Sequence, residues 1–150
     1  MVEPATIGII GAGQLARMMI EAASPLNINI RLLAASPEDS AALISKNVHL
    51  GSPNNERDVR NFAEHCDVVT FDHELVNLDI IRILEKGGKL VNPSSETLNY
   101  AQDKLYQRTL FTKDGLPVPA FNEVTTLEDI SNFGESFGWP LVLKLSLIHI

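Results

Sequence analysis

Cysteine is nearly absent from this 150-residue chain. Cys66 stands alone, which excludes an internal disulfide and fits a reducing compartment. Basic runs are missing too. Twelve Lys and Arg are scattered among nineteen Asp and Glu, for a net charge of -7. Counterion release would add little on such a surface, so nucleic acid is excluded as the main partner. No apolar stretch approaches the ~18 residues of a membrane span. The opening Met-Val-Glu-Pro has neither the basic residues nor the apolar core of a secretory signal. A cytoplasmic protein with no membrane partner is expected. His49, His65, His73 and His149 show no metal-ligand spacing with Cys66. Ser24, Ser36 and Ser94 lack the context of a nucleophile elbow.

What is present is an alternation of strand and helix patterns. Thr6 to Ile10 reads as a buried strand ending at a glycine turn. A helix follows, with Leu15, Met18, Met19, Ala22 and Ala23 as its inward stripe, and Ser24-Pro25 ends it. Ile28 to Ala35 is a second strand, Asp39 to Ile44 a short helix, and Val48 to Gly51 a short strand. A helix capped at Asn54 or Asn55 turns Val59, Phe62 and Ala63 inward. Asp67 to Phe71 is another apolar strand, Leu78 to Leu84 a helix stopped by Gly87-Gly88, and Lys89 to Asn92 a last strand. Short links between such units imply a parallel sheet covered on both faces. The expected fold is a doubly wound α/β domain over residues 1–93.

Residues 94–150 read differently. Ser94 or Ser95 caps a helix through Leu98 and Ala101, and Asp103 to Lys113 forms another that ends at Gly115. Pro117 and Pro119 stiffen an extended link. Thr125 to Glu128 has capping-box spacing, for a helix that buries Leu127, Ile130, Phe133 and Phe137. Leu141 to Leu145 reads as a strand.

The glycine turn carries the chemistry. Gly11-Ala12-Gly13-Gln14-Leu15-Ala16 fits G-x-G-x-x-A between a strand and a helix. The first glycine permits a tight turn, the second removes a side chain where a ligand would approach, and small Ala16 lets the helix sit close to the strand. Amides at the helix start then face an anion. A plain strand-to-helix turn is the structural alternative. A dinucleotide would also need an acid ending the second strand, about 20 residues on, to hold the ribose. That strand ends Leu33-Ala34-Ala35-Ser36-Pro37, with Glu38 and Asp39 displaced beyond it. A monophosphate fits better than NAD.

Four blocks carry a resemblance. Gly8 to Met18, Asp67 to Glu74, Ala101 to Lys104 with Gly115 to Pro119, and Trp139 to Lys144 occur in order along the chain. Together they resemble the 5-(carboxyamino)imidazole ribonucleotide synthase family, of the ATP-grasp superfamily. The resemblance implies a Rossmann-like, pre-ATP-grasp sheet domain followed by the truncated start of an ATP-grasp domain. It implies an ATP-dependent carbon–nitrogen ligase of de novo purine biosynthesis: ATP phosphorylates bicarbonate, and the carboxyl unit passes to the exocyclic amine of 5-aminoimidazole ribonucleotide. It assigns Gly13, Gln14 and Leu15 to the ribonucleotide's 5′-phosphate, Glu74 to the same substrate, and Lys104 and Lys144 to ATP. It implies a homodimer, and magnesium held by residues outside this chain.

Taken without the resemblance, these residues keep plainer alternatives. Gln14 is an ordinary helix-start residue, Glu74 a solvated loop carboxylate, and Lys144 a strand-end lysine that snorkels to water. Arg17 either reaches phosphate or is solvated. The family continues after the matching lysine with a glycine-rich loop, whereas here no glycine follows Gly138, and residues 145–150 look foreign to it. The chain alone is therefore expected to be inactive. A Rossmann oxidoreductase fragment, a non-catalytic nucleotide-binding module and a formate-using glycinamide ribonucleotide ligase are the competing identities.

Overall fold

The computed structural model describes residues 4–144. The chain divides into two compact units, residues 1–98 and 99–150.

The first unit is a five-stranded parallel sheet, ordered β3-β2-β1-β4-β5. Its strands are β1 (Thr6–Ile10), β2 (Asn29–Ala34), β3 (Val48–Leu50), β4 (Val68–Phe71) and β5 (Leu90–Val91). Helix α1 (Gln14–Ala23) links β1 to β2, α2 (Glu56–Glu64) links β3 to β4, and α3 (Leu78–Lys86) links β4 to β5. Adjacent strand residues face opposite ways, so Ile9 and Leu32 join one core while Ile10 and Leu33 join the other. Both cores are apolar, which is why the strands read as unbroken hydrophobic runs. On one face α1 contributes Ala16, with Met19 and Ile20 packed behind it. On the other, α2 supplies Val59, Phe62 and Ala63, α3 supplies Ile80, Ile81 and Leu84, and Leu98 closes the end.

Helix starts follow side-chain chemistry. Asn55 Oδ1 accepts from Asp58 N at 3.1 Å, and Asn77 Oδ1 accepts from Asp79 N and Ile80 N at 3.0 and 3.2 Å. Each bond satisfies an amide that the helix itself leaves unpaired. Gly8 lets α2 lie close to β1: a Cβ there would stand 2.9 Å from Phe62 Cζ and run into Cys66 Sγ. Burial pushes the Cys66 thiol above its usual range.

Two expectations change in this unit. The inward stripe of α1 is Ala16, Met19, Ile20 and Ala23, whereas Leu15 and Met18 are 52% and 55% exposed and Ala22 also faces out. The small Ala16 wins the inward place because the helix sits tightly on the sheet. Asp39 to Ile44 makes turns, not a helix. Ala41 N donates outward to Ala12 O at 2.9 Å, and the bonds within the segment, such as Leu43 N to Asp39 O at 3.1 Å and Ile44 N to Ala41 O at 3.3 Å, do not run on as a helical ladder.

The second unit holds the C-terminal half of α4 (Ser95–Gln102), α5 (Lys104–Lys113) and α6 (Leu127–Phe137). Asp103 caps α5 by accepting from Tyr106 N at 2.9 Å. The α6 capping box lies one residue later than its spacing suggested, pairing Thr126 with Asp129. Leu127 is 83% exposed and Phe137 is exposed as well, so only part of the expected apolar stripe is covered. Residues 141–144 form no strand, and Val142 is 80% exposed. An extended segment becomes a strand only when a neighbour takes its backbone groups, and among the described residues none does. Leu145 and the rest of the tail lie outside the described residues.

Two measurements check this account. Phe62→Ala is expected to cost about 3–5 kcal/mol in denaturant unfolding, as a large core side chain is removed. The Asp129 carboxylate, held by the Thr125 and Thr126 amides, is lowered to about 2. Its contribution to α6 is complete above the ordinary carboxylate range and is lost as pH falls through about 2. An NMR titration should find its midpoint near 2; a midpoint near 4, the ordinary aspartate value, would mean the cap is not formed.

Candidate functional site

The chain winds β1-α1-β2-β3 to one side and then crosses by α2 to β4 on the other side of β1. The sheet therefore reverses between β1 and β4. In open α/β sheets ligands gather beyond the strand ends at such a reversal. The two segments that emerge there are the glycine turn after β1 and residues 72–75 after β4. Their strands are paired in register, Ile10 against Phe71, so the segments leave the sheet side by side.

One contact joins them. The Asp72 side chain is only 2% exposed, and its Oδ2 accepts from Gly13 N at 3.2 Å. Gly11 has φ +113°, and a Cβ there would collide with Asp72 Oδ1. Much of the backbone of the turn is engaged. Gly11 N donates to Leu33 O at 3.0 Å, Ala12 O accepts from Ala41 N at 2.9 Å, and Gly13 O accepts from Arg17 N at 3.1 Å. The start of α1 carries no side-chain cap. The Gln14, Leu15 and Ala16 amides, at the first positions of the helix, lack intrahelical partners and are donors that can face a ligand.

His73 closes the neighbouring segment. Its Nδ1 accepts from Leu75 N at 3.1 Å, which in the neutral ring leaves the proton on Nε2. That nitrogen lies 3.6 Å from Asp72 Oδ1, a buried oxygen with no hydrogen-bond partner among the described residues. Glu74 sits half-buried in the same segment.

The residues singled out from sequence divide cleanly. Gly13, Gln14, Leu15 and Glu74 come to one place, the reversal point. The Gly13 N–H is not spare, since Asp72 holds it. Arg17 is directed down the helix, with Nε 3.2 Å from Glu21 Oε1. Lys104 is in the second unit, where its Nζ donates to Ala101 O. Lys144 stands exposed on irregular backbone. Asp72 and His73 belonged to a sequence block whose only assigned residue was Glu74. The signal for them was their position just past an apolar strand.

The acids beyond β2 are committed to their own turn. Asp39 holds Ser36 N, and Glu38 Oε2 accepts from Ser36 Oγ, which holds the Glu38 carboxyl below its usual range. Neither is placed as the ribose-binding acid of a dinucleotide site. Among the described residues no three His, Cys, Asp or Glu side chains converge to hold a metal. Nor is any helix among them long and apolar enough to cross a membrane.

Residues 4–102 match the family model of the ribonucleotide synthetase preATP-grasp domain. The chain belongs to that family. The chain is similar to the N5-carboxyaminoimidazole ribonucleotide synthase of Mycobacterium tuberculosis, 37% identical over 138 residues, covering 92% of this chain and 32% of that relative. Among solved structures it is similar to carboxyaminoimidazole ribonucleotide synthase from Aspergillus clavatus complexed with ATP, at TM-score 0.86 and 30% identity, covering all of this chain (100%) and 40% of that one. The same organism's enzyme in complex with ADP and 5-aminoimidazole ribonucleotide gives TM-score 0.82 and 30% identity over 93% of this chain and 38% of that one. The chain thus spans about a third of its curated relative's length, and corresponds to the N-terminal portion.

Gly11→Ala should destabilise the pre-ATP-grasp domain by about 1–3 kcal/mol, because alanine strains a positive φ and its Cβ has no room beside Asp72. Denaturant unfolding of the two proteins measures it; equal stability would show that the carboxylate does not back the turn.

Proposed function

We propose that this chain is the ribonucleotide-holding part of an ATP-dependent ligase that carboxylates 5-aminoimidazole ribonucleotide with bicarbonate in de novo purine biosynthesis. The observation that carries this reading is the meeting of the glycine turn and the Asp72–Leu75 segment at the sheet's reversal point. The Gln14 and Leu15 amides donate to the 5′-phosphate, and the Gln14 carboxamide adds a further donor. Gly13 serves by its missing side chain. Glu74 faces the nucleotide from the adjoining segment. Lys104 and Lys144 act on ATP phosphates as point charges, once Lys104 leaves its carbonyl. The family's magnesium finds its ligands elsewhere, and the working enzyme is a cytoplasmic homodimer.

The similarity to an enzyme bound to ADP and 5-aminoimidazole ribonucleotide supports the substrate class. The commitment of Glu38 and Asp39 to Ser36 counts against NAD.

Calorimetry with 5-aminoimidazole ribonucleotide tests the reading. Binding heat is expected, with a rise in melting temperature of about 5–10 °C at ligand about 100 times Kd. Absence of both, or tighter binding of NADH, would overturn it.

A further inference from the structure

A buried carboxylate lies against the glycine turn. Asp72 is a carboxylate that β4 delivers beneath the turn, almost wholly removed from solvent. One of its oxygens takes the Gly13 amide, and the other lies against Gly11 without a hydrogen-bond partner among the described residues. A buried carboxylate with one oxygen unsatisfied is costly, and such a group is tolerated where it holds geometry that something else needs. Here the geometry held is the N-terminus of α1. With Gly13 N–H engaged by Asp72, the amides of Gln14, Leu15 and Ala16 remain as the unpaired first turn of α1, pointing out along its axis. The Ala12–Ala41 bond and the Gly11–Leu33 bond fix the same turn from the other side.

We propose that Asp72 is the positioning residue for 5′-phosphate recognition: it withdraws Gly13 N–H from the ligand and sets the amides of Gln14, Leu15 and Ala16 as the phosphate donors. The inference rests on the ribonucleotide reading above and deepens it. His73 works alongside. Its ring, oriented by Leu75 N–H, places Nε2 3.6 Å from the unsatisfied Asp72 oxygen. It thereby offsets part of a charge that would otherwise face an incoming phosphate.

The chain and its D72A and D72N variants are titrated with 5-aminoimidazole ribonucleotide and with the corresponding riboside, which lacks the phosphate. The parent chain is expected to bind the ribonucleotide at least about tenfold more tightly. D72A should lose most of that preference while its riboside affinity stays within about threefold. D72N retains an oxygen for Gly13 N–H and should keep the preference within about threefold of the parent. A parent chain with no preference sinks the ribonucleotide reading and this inference together. A parent preference that D72A leaves intact, or a loss shared equally by the riboside, sinks the inference alone. Should D72A fail to fold, amide NMR of the parent chain decides. The Gln14, Leu15 and Ala16 resonances should move on addition of ribonucleotide while Gly13 stays in place. A Gly13 shift as large as theirs would overturn the assignment.

Discussion

The bond from Gly13 N–H to Asp72 Oδ2 is the contact on which the candidate site depends. It spans the place where the sheet changes direction, between strands that pair in parallel but are separated in sequence by the whole β2–β3 excursion. Parallel pairing in register brings the residues after β1 and β4 out together. No crossover helix covers that gap, because α1 and α2 lie on opposite faces. A short carboxylate on one side and a residue without a Cβ on the other fill the space between them. Gly11 and Asp72 are therefore one choice rather than two.

The same contact bears on the kind of ligand. A helix N-terminus attracts any anion, so the glycine turn by itself does not separate a dinucleotide from a monophosphate. The separation comes from the acids. A dinucleotide site wants a free carboxylate at the end of β2, and here the two nearest, Glu38 and Asp39, are spent on Ser36. The buried acid lies at the end of β4 instead, against the turn, with its side chain only 2% exposed.

Much of the first unit was legible because its signals are local. Strand runs such as Thr6–Ile10, caps such as Asn55, and the glycine stop after α3 each depend on residues a few positions apart. The family's blocks likewise led to the glycine turn and to Glu74. Where the signals were ambiguous, neighbours decided. The first helix has apolar residues on more than one side, and only closeness to the sheet selects Ala16 over Leu15. Thr125 and Thr126 both fit a capping box, and Asp129 picks the second by reaching back to both amides. Asp72 was not legible as a positioning residue. Its role exists only through a partner 59 positions away, and the sequence alone does not show that the two strand ends meet.

The difference between local and distant support also separates the two groups of proposed ligand residues. The amides at the start of α1 need nothing beyond the first unit, since sheet, turn and carboxylate that hold them all lie within residues 1–98. Lys104 and Lys144 have no such frame. The first is turned onto its own chain at Ala101, and the second follows a stretch whose apolar side chains stay exposed for want of a neighbouring strand. A lysine on an unpaired segment has no fixed direction, and a point charge aids a phosphate only where it is held. The proposed ribonucleotide capture is consequently the part that this chain's own packing supports, and the proposed ATP contact would need strand partners that the described residues do not supply.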